Sequence, residues 1–146
     1  MANVTLCKAI LDGNMQTLNA IISVGVADIN SVDSGGYSAL ILASEKGHVD
    51  AIKTLIEGGS NVNYAILAGP GVYLENIGMT ALMGACMEGM KDAVKVLLDA
   101  NADVFHTRSN GSTALSISIQ FKHTAIIDML KAHIAQRDTK LEGSSK

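Results

Sequence analysis

The chain has 146 residues, of which 48% are hydrophobic and 17% charged, with 11 Lys and Arg against 14 Asp and Glu for a formal charge of −3. This is a folding composition of one domain or two small ones, so wholesale disorder is excluded, and without a Lys/Arg run it has no electrostatic footprint for nucleic acid. With two Phe, three Tyr, no Trp and seven Met, the core must be aliphatic, which suits closely packed helices.

The N-terminus, Met1 to Lys8, has no basic region followed by an apolar block, so no signal peptide is read and a soluble, cytoplasmic protein is expected. Apolar residues then recur at helical spacing: Leu6, Ala9, Leu18, Ile21 and Ile22, with Gly13 between the two groups and Gly25 and Asp28-Ile29-Asn30 after them. This predicts two short helices in a first unit, about 3–30. A second unit, 31–63, opens on Gly36-Tyr37-Ser38-Ala39-Leu40 and continues through Ala43, Gly47, Ile52, Leu55 and Ile56 to Gly58-Gly59. A third, 74–106, repeats the phrase as Gly78-Met79-Thr80-Ala81-Leu82 and continues through Ala85, Gly89, Val94, Leu97 and Leu98. The fourth, 107–137, opens on Gly111-Ser112-Thr113-Ala114-Leu115 and carries Ser118, Lys122, Ile127 and Leu130. Leu82 and Leu115 are 33 residues apart and Leu40 and Leu82 are 42 apart, so the third copy carries nine extra residues.

Those extra residues belong to a loop at about 64–76. Gly69-Pro70-Gly71 separates Ile66 and Leu67 from Val72, Tyr73 and Leu74, which predicts a projecting β-hairpin. The same Gly-Pro-Gly interrupts the longest weakly polar stretch, far short of the ~18 apolar residues of a membrane span. At the other end Lys131, His133, Gln136 and Arg137 read as the polar face of a C-terminal cap, and 138–146 as a disordered polar tail.

Each recurring residue has a mechanical use. Ser38, Thr80 and Thr113 are placed to cap the first helix of their units. Gly47 and Gly89 supply the positive φ that ends that helix, and Asp50 and Asp92 enter the second helix at its positive end. A two-helix unit cannot bury both its apolar faces alone, so the units must stack.

No nucleotide-binding glycine loop, zinc motif, Cys-x-x-Cys or nucleophile elbow occurs, and no catalytic or metal site is expected. His48 and His123 each follow the turn residue of their unit and, without placed partners, are read as structural and not catalytic. His106 falls in a loop, and Cys7 and Cys86 read as small buried hydrophobes.

Together these residues resemble the ankyrin repeat. Ser38-Ala39-Leu40-Ile41 with Gly47-His48, Thr80-Ala81-Leu82-Met83 with Gly89-Met90, and Thr113-Ala114-Leu115-Ser116 with Lys122-His123 follow its Thr-Pro-Leu-His and Gly-His elements, with Ala in place of Pro. The resemblance implies an all-α solenoid of stacked helix-turn-helix units joined by β-turn or hairpin loops, over residues 1–137. It also implies backbone bonding by His48 and His123 at the turn, and a module that binds another protein through its concave face and loop tips. No enzymatic activity or cofactor is expected, and the chain is read as a monomer, with self-association through its Met-rich face as the alternative. Carried over by position, the contact residues are Tyr37, Glu45, Lys46, Tyr73, Asn76, Ile77, Met79, Met87, Glu88, Ser112, Gln120 and Phe121. Met79 and Met87 are turned outward in this register. The alternative is a regulatory inhibitor that inserts the 64–77 finger into a partner enzyme.

Overall fold

A hydroxyl opens each of the three full units. In the computed structural model, which describes residues 2–25 and 28–144, Ser38 Oγ accepts from the Ile41 N–H at 3.2 Å and Thr80 Oγ1 from the Met83 N–H at 3.2 Å. Thr113 Oγ1 accepts from the Ser116 N–H at 3.1 Å, and Ser116 Oγ returns the bond from the Thr113 N–H at 2.8 Å, completing a capping box. These caps start helices α3 (Ala39–Lys46), α5 (Ala81–Glu88) and α7 (Ala114–Gln120), which follow α1 (Ala2–Asp12) of the first unit. Thr80→Ala should therefore cost about 1 kcal/mol of unfolding free energy in a denaturant titration. An unchanged midpoint would mean that the hydroxyl contributes no cap.

The chain then reverses at Gly47 and Gly89, both left-handed with φ 71° and 72°. The fourth unit makes the same reversal with Lys122 at φ 59°, a conformation costly for a side chain. After each reversal comes an outer helix: α2 (Met15–Val24), α4 (Val49–Glu57), α6 (Lys91–Asp99) and α8 (Thr124–Ser144). Asp50 and Asp92 stand in the first turns of α4 and α6.

Inner helices stack in the order α1, α3, α5, α7 and outer helices in the order α2, α4, α6, α8. One aliphatic core runs the length of the array between the two layers. Leu6, Ile10, Leu40, Ile41, Leu82, Met83 and Ile117 face it from the inner layer, and Leu18, Ile52, Leu55, Leu97 and Leu130 from the outer. The polar ends of the units are tied as well. Asn30 Oδ1 accepts from the Asn61 N–H at 2.6 Å, and Asn63 Oδ1 from the Asp103 N–H at 2.8 Å, so each asparagine bonds the backbone of the next unit. In the third unit Phe105 stands where that asparagine would, and the Arg137 guanidinium covers its ring at 5.6 Å from the centroid.

Helix α8 continues to Ser144, beyond Asp138, where the sequence predicts a disordered tail to begin. No Gly or Pro occurs from Thr124 to Glu142 to stop it. The final two positions of that tail, 145 and 146, lie outside the described residues.

Candidate functional site

The loop tips share one hydrogen-bond pattern. In the second unit the Asp33 N–H donates to the Tyr37 carbonyl at 2.9 Å and the Gly36 N–H to the Asp33 carbonyl at 3.0 Å. The fourth repeats it with Arg108, Ser112 and Gly111, at 3.0 and 2.8 Å. In the third unit the same two bonds join Ile66 N–H to the Met79 carbonyl at 3.0 Å and Gly78 N–H to the Ile66 carbonyl at 2.7 Å. Ile66 is thus the turn-opening residue, and twelve positions instead of three separate it from its glycine. The nine extra residues lie inside the tip, between Ile66 and Gly78.

Within that expanded tip the described backbone forms no strand, only a tight turn closed by the Val72 N–H on the Gly69 carbonyl and a single 3₁₀ turn, Leu74–Asn76. The expected projecting hairpin is replaced by a loop folded onto its neighbours. Its apolar residues explain this. Ile66 is buried and Val72 half-buried over Gly36, where a Cβ would lie 2.9 Å from Ile66 Cγ2 and 3.4 Å from Val72 Cγ2. Tyr64 fixes the approach by donating its hydroxyl to the Gly36 carbonyl at 2.7 Å. On the opposite flank Arg108 Nε donates to the Ile77 carbonyl at 3.3 Å, and its Nη2 donates to the Glu75 carbonyl. His106 Nε2 donates to the Gly78 carbonyl at 3.0 Å. The insertion is clamped from both sides.

Held there, it forms one wall of a groove of about 340 Å³ on the inner-helix side. Leu74, Glu75 and Asn76 face Arg108, Ser109, Asn110 and Ser112 of the next tip, and Met87, Ile117, Gln120 and Phe121 complete the lining. A second depression beside it is lined by Leu42, Glu45 and Lys46 of α3, Glu88 of α5, Leu11, His48 and Met90. Met87 and Glu88 are consecutive, so the two depressions adjoin on α5.

The sequence-predicted contact residues distribute unevenly over this surface. Asn76, Met87, Ser112, Gln120 and Phe121 converge on the groove, and Glu45, Lys46 and Glu88 on its neighbour. Tyr73 stands on the insertion, 70% exposed, but does not line the groove. Tyr37 and Ile77 are half-buried. Met79 is a correction: it is 3% exposed and belongs to the core, because the residue just before the capping Thr80 turns its side chain inward. Leu74, Glu75, Arg108 and Ile117 were missed. For Arg108 a signal existed, since it occupies the turn-opening position held by Asp33 in the second unit.

Carboxylates dominate the electrostatics of the inner surface. Burial first, then the charges of Glu45, Asp33 and Glu75, push the Tyr37 phenol above its ordinary range. Burial and the neighbouring Glu88 likewise raise Glu45, with Lys46 opposing. Elsewhere, His123 Nε2 donates to the Met87 carbonyl at 3.0 Å, the backbone role expected for it, while His48 makes no side-chain cap. Cys7 and Cys86 are buried free thiols, each pushed up to about 11 chiefly by burial. Both should resist a thiol reagent at neutral pH and react only as fast as the protein opens. Labelling at the rate of a free thiol in native buffer would contradict that burial. Among the described residues no group of His, Cys, Asp and Glu is arranged to hold a metal, and no helix is long and apolar enough to cross a membrane.

A family profile for ankyrin repeats in three copies matches residues 3–66 and 62–140. The chain belongs to the ankyrin repeat family. Ankyrin repeats are in general protein–protein interaction modules and typically non-catalytic. Among curated proteins, BTB/POZ domain-containing protein 3 of Schizosaccharomyces pombe is 36% identical over 55 residues. That match covers 38% of this ankyrin chain and 10% of the yeast protein, so it spans about a tenth of the relative's length.

Proposed function

We propose that this ankyrin array is a monomeric, cytoplasmic protein-binding module whose partner seats on the concave surface, in the groove between the insertion and α7. One observation carries the reading: the expanded tip is pinned to both neighbouring tips and walls a cleft whose floor holds Met87, Ile117 and Phe121. A prearranged surface of this kind loses little conformational freedom on binding, which favours affinity. Phe121 is 44% exposed beside Met87 and Ile117, the sort of aromatic anchor that dominates interface energetics. An inhibitor that drives residues 64–77 into an enzyme cleft would need that loop to stand clear of the array. Its bonds to Gly36 and Arg108 favour a wall over a plug.

The test is affinity capture with the intact chain and with the double variant Met87→Ala/Phe121→Ala, followed by quantitation of each captured protein. The partner should be depleted at least about tenfold in the variant, as expected for loss of interface anchors. Equal recovery by both would move the interface off the concave groove.

A further inference from the structure

The two adjoining depressions differ in chemistry, and the difference bears on what fits them. In the first, Leu74 is 82% exposed and faces Met87, Ile117 and Phe121. The second is acidic. Glu45 lies across α5 at Gly84, where a Cβ would sit 2.8 Å from Glu45 Cγ. Gly84 and Glu88 are one helical turn apart on the same face, so Glu45 of α3 and Glu88 of α5 are brought side by side, and both line the depression. Among the described residues the ion pairs are Lys8–Asp12 and Lys95–Asp99, and neither involves Glu45, Glu75 or Glu88.

The Lys and Arg side chains that line the two depressions are Lys46, exposed at the end of α3 beside Glu45, and Arg108, whose guanidinium is committed to the carbonyls of Glu75 and Ile77. His48 also lines the depression. Asp33 is engaged differently, its Oδ1 accepting the Gly35 and Tyr37 N–H groups at 2.9 Å each. Glu45 therefore stands half-buried next to a like charge, an arrangement that disfavours its own ionised form until a cation arrives. The upward shift of Glu45 agrees with this geometry.

Resting on the concave-groove reading above, we infer that the occupant is an extended segment of another protein that places a lysine or arginine against Glu45 and Glu88 and an aliphatic or aromatic side chain against Leu74, Met87 and Phe121. Charge complementarity selects this occupant: in the second depression Glu45 and Glu88 outnumber Lys46, so an acidic or phosphorylated segment would meet two carboxylates there, and like charges across an interface are costly. Because Met87 and Glu88 adjoin, the cation and the apolar anchor of the segment need be only a few residues apart.

The experiment is fluorescence anisotropy with three labelled peptides of equal length, one alternating Lys with Leu, one Glu with Leu and one Lys with Ser. The Lys/Leu peptide should bind most tightly and weaken as salt is raised. Glu45→Gln/Glu88→Gln should weaken it about tenfold or more, Met87→Ala/Phe121→Ala should do the same, and Glu57→Gln on the outer layer should have no effect. Circular dichroism of each variant establishes that the helices are intact. Preference for the Glu/Leu peptide, lost in Met87→Ala/Phe121→Ala, would overturn the cation inference while leaving the groove as the binding surface. Lys/Leu binding that survives both double variants would overturn both.

Discussion

Gly89→Ala should lower stability by about 2–3 kcal/mol and the melting temperature by on the order of 10 °C. Two costs combine at this position. At φ 72° a side chain meets the left-handed penalty of about 1–2 kcal/mol. In addition, a Cβ would lie 2.7 Å from Cε1 of His123, so the ring would have to leave and give up its bond to the Met87 carbonyl, about another 1 kcal/mol. Gly13 holds the equivalent position in the first unit with φ 68° and nothing within 4 Å of a Cβ. Gly13→Ala should therefore pay only the conformational cost, about 1–2 kcal/mol. Equal losses for the two substitutions would mean that the packing of one unit's histidine on the preceding turn adds nothing to the stacking.

Excising Leu67 to Glu75 should leave the array folded and abolish binding in the groove. The deletion joins Ile66 to Asn76 and restores the three-residue spacing from turn-opening residue to glycine that Asp33–Gly36 and Arg108–Gly111 already have. Far-ultraviolet circular dichroism should keep its helical signal, because none of α1 to α8 is touched. Partner affinity should fall at least about tenfold, since one wall and the exposed Leu74 disappear together. Loss of helical signal would place the insertion within the folding core, and undiminished affinity would make it a neutral loop.

Much of this architecture was legible before any coordinate. The recurrence of a capping hydroxyl, a small-residue inner helix and a turn glycine defines the units because each residue acts locally: Thr80 caps its own helix wherever the unit is placed, and Gly89 ends it. The insertion was legible in length but not in shape. Apolar arms on either side of Gly69-Pro70-Gly71 suggest a hairpin, yet the decisive contacts are Ile66 and Val72 on Gly36 and Arg108 on the backbone at Glu75 and Ile77. These partners lie some thirty residues away, and no local pattern encodes them. The same distinction separates Met79 from Met87. Register places both near the concave side, but one precedes the cap and turns into the core, while the other ends its helix beside the groove.

The concave assignment is tested most directly by the protein's own methionines. In a sample labelled at the methionine methyl groups, Met87 lines the groove, Met83 is buried in the core and Met129 packs from α8 on the outer layer. On titration with the Lys/Leu peptide the Met87 methyl resonance should shift progressively to saturation while those of Met83 and Met129 stay in place. A Met129 shift with Met87 unmoved would put the binding surface on the convex side and contradict the assignment.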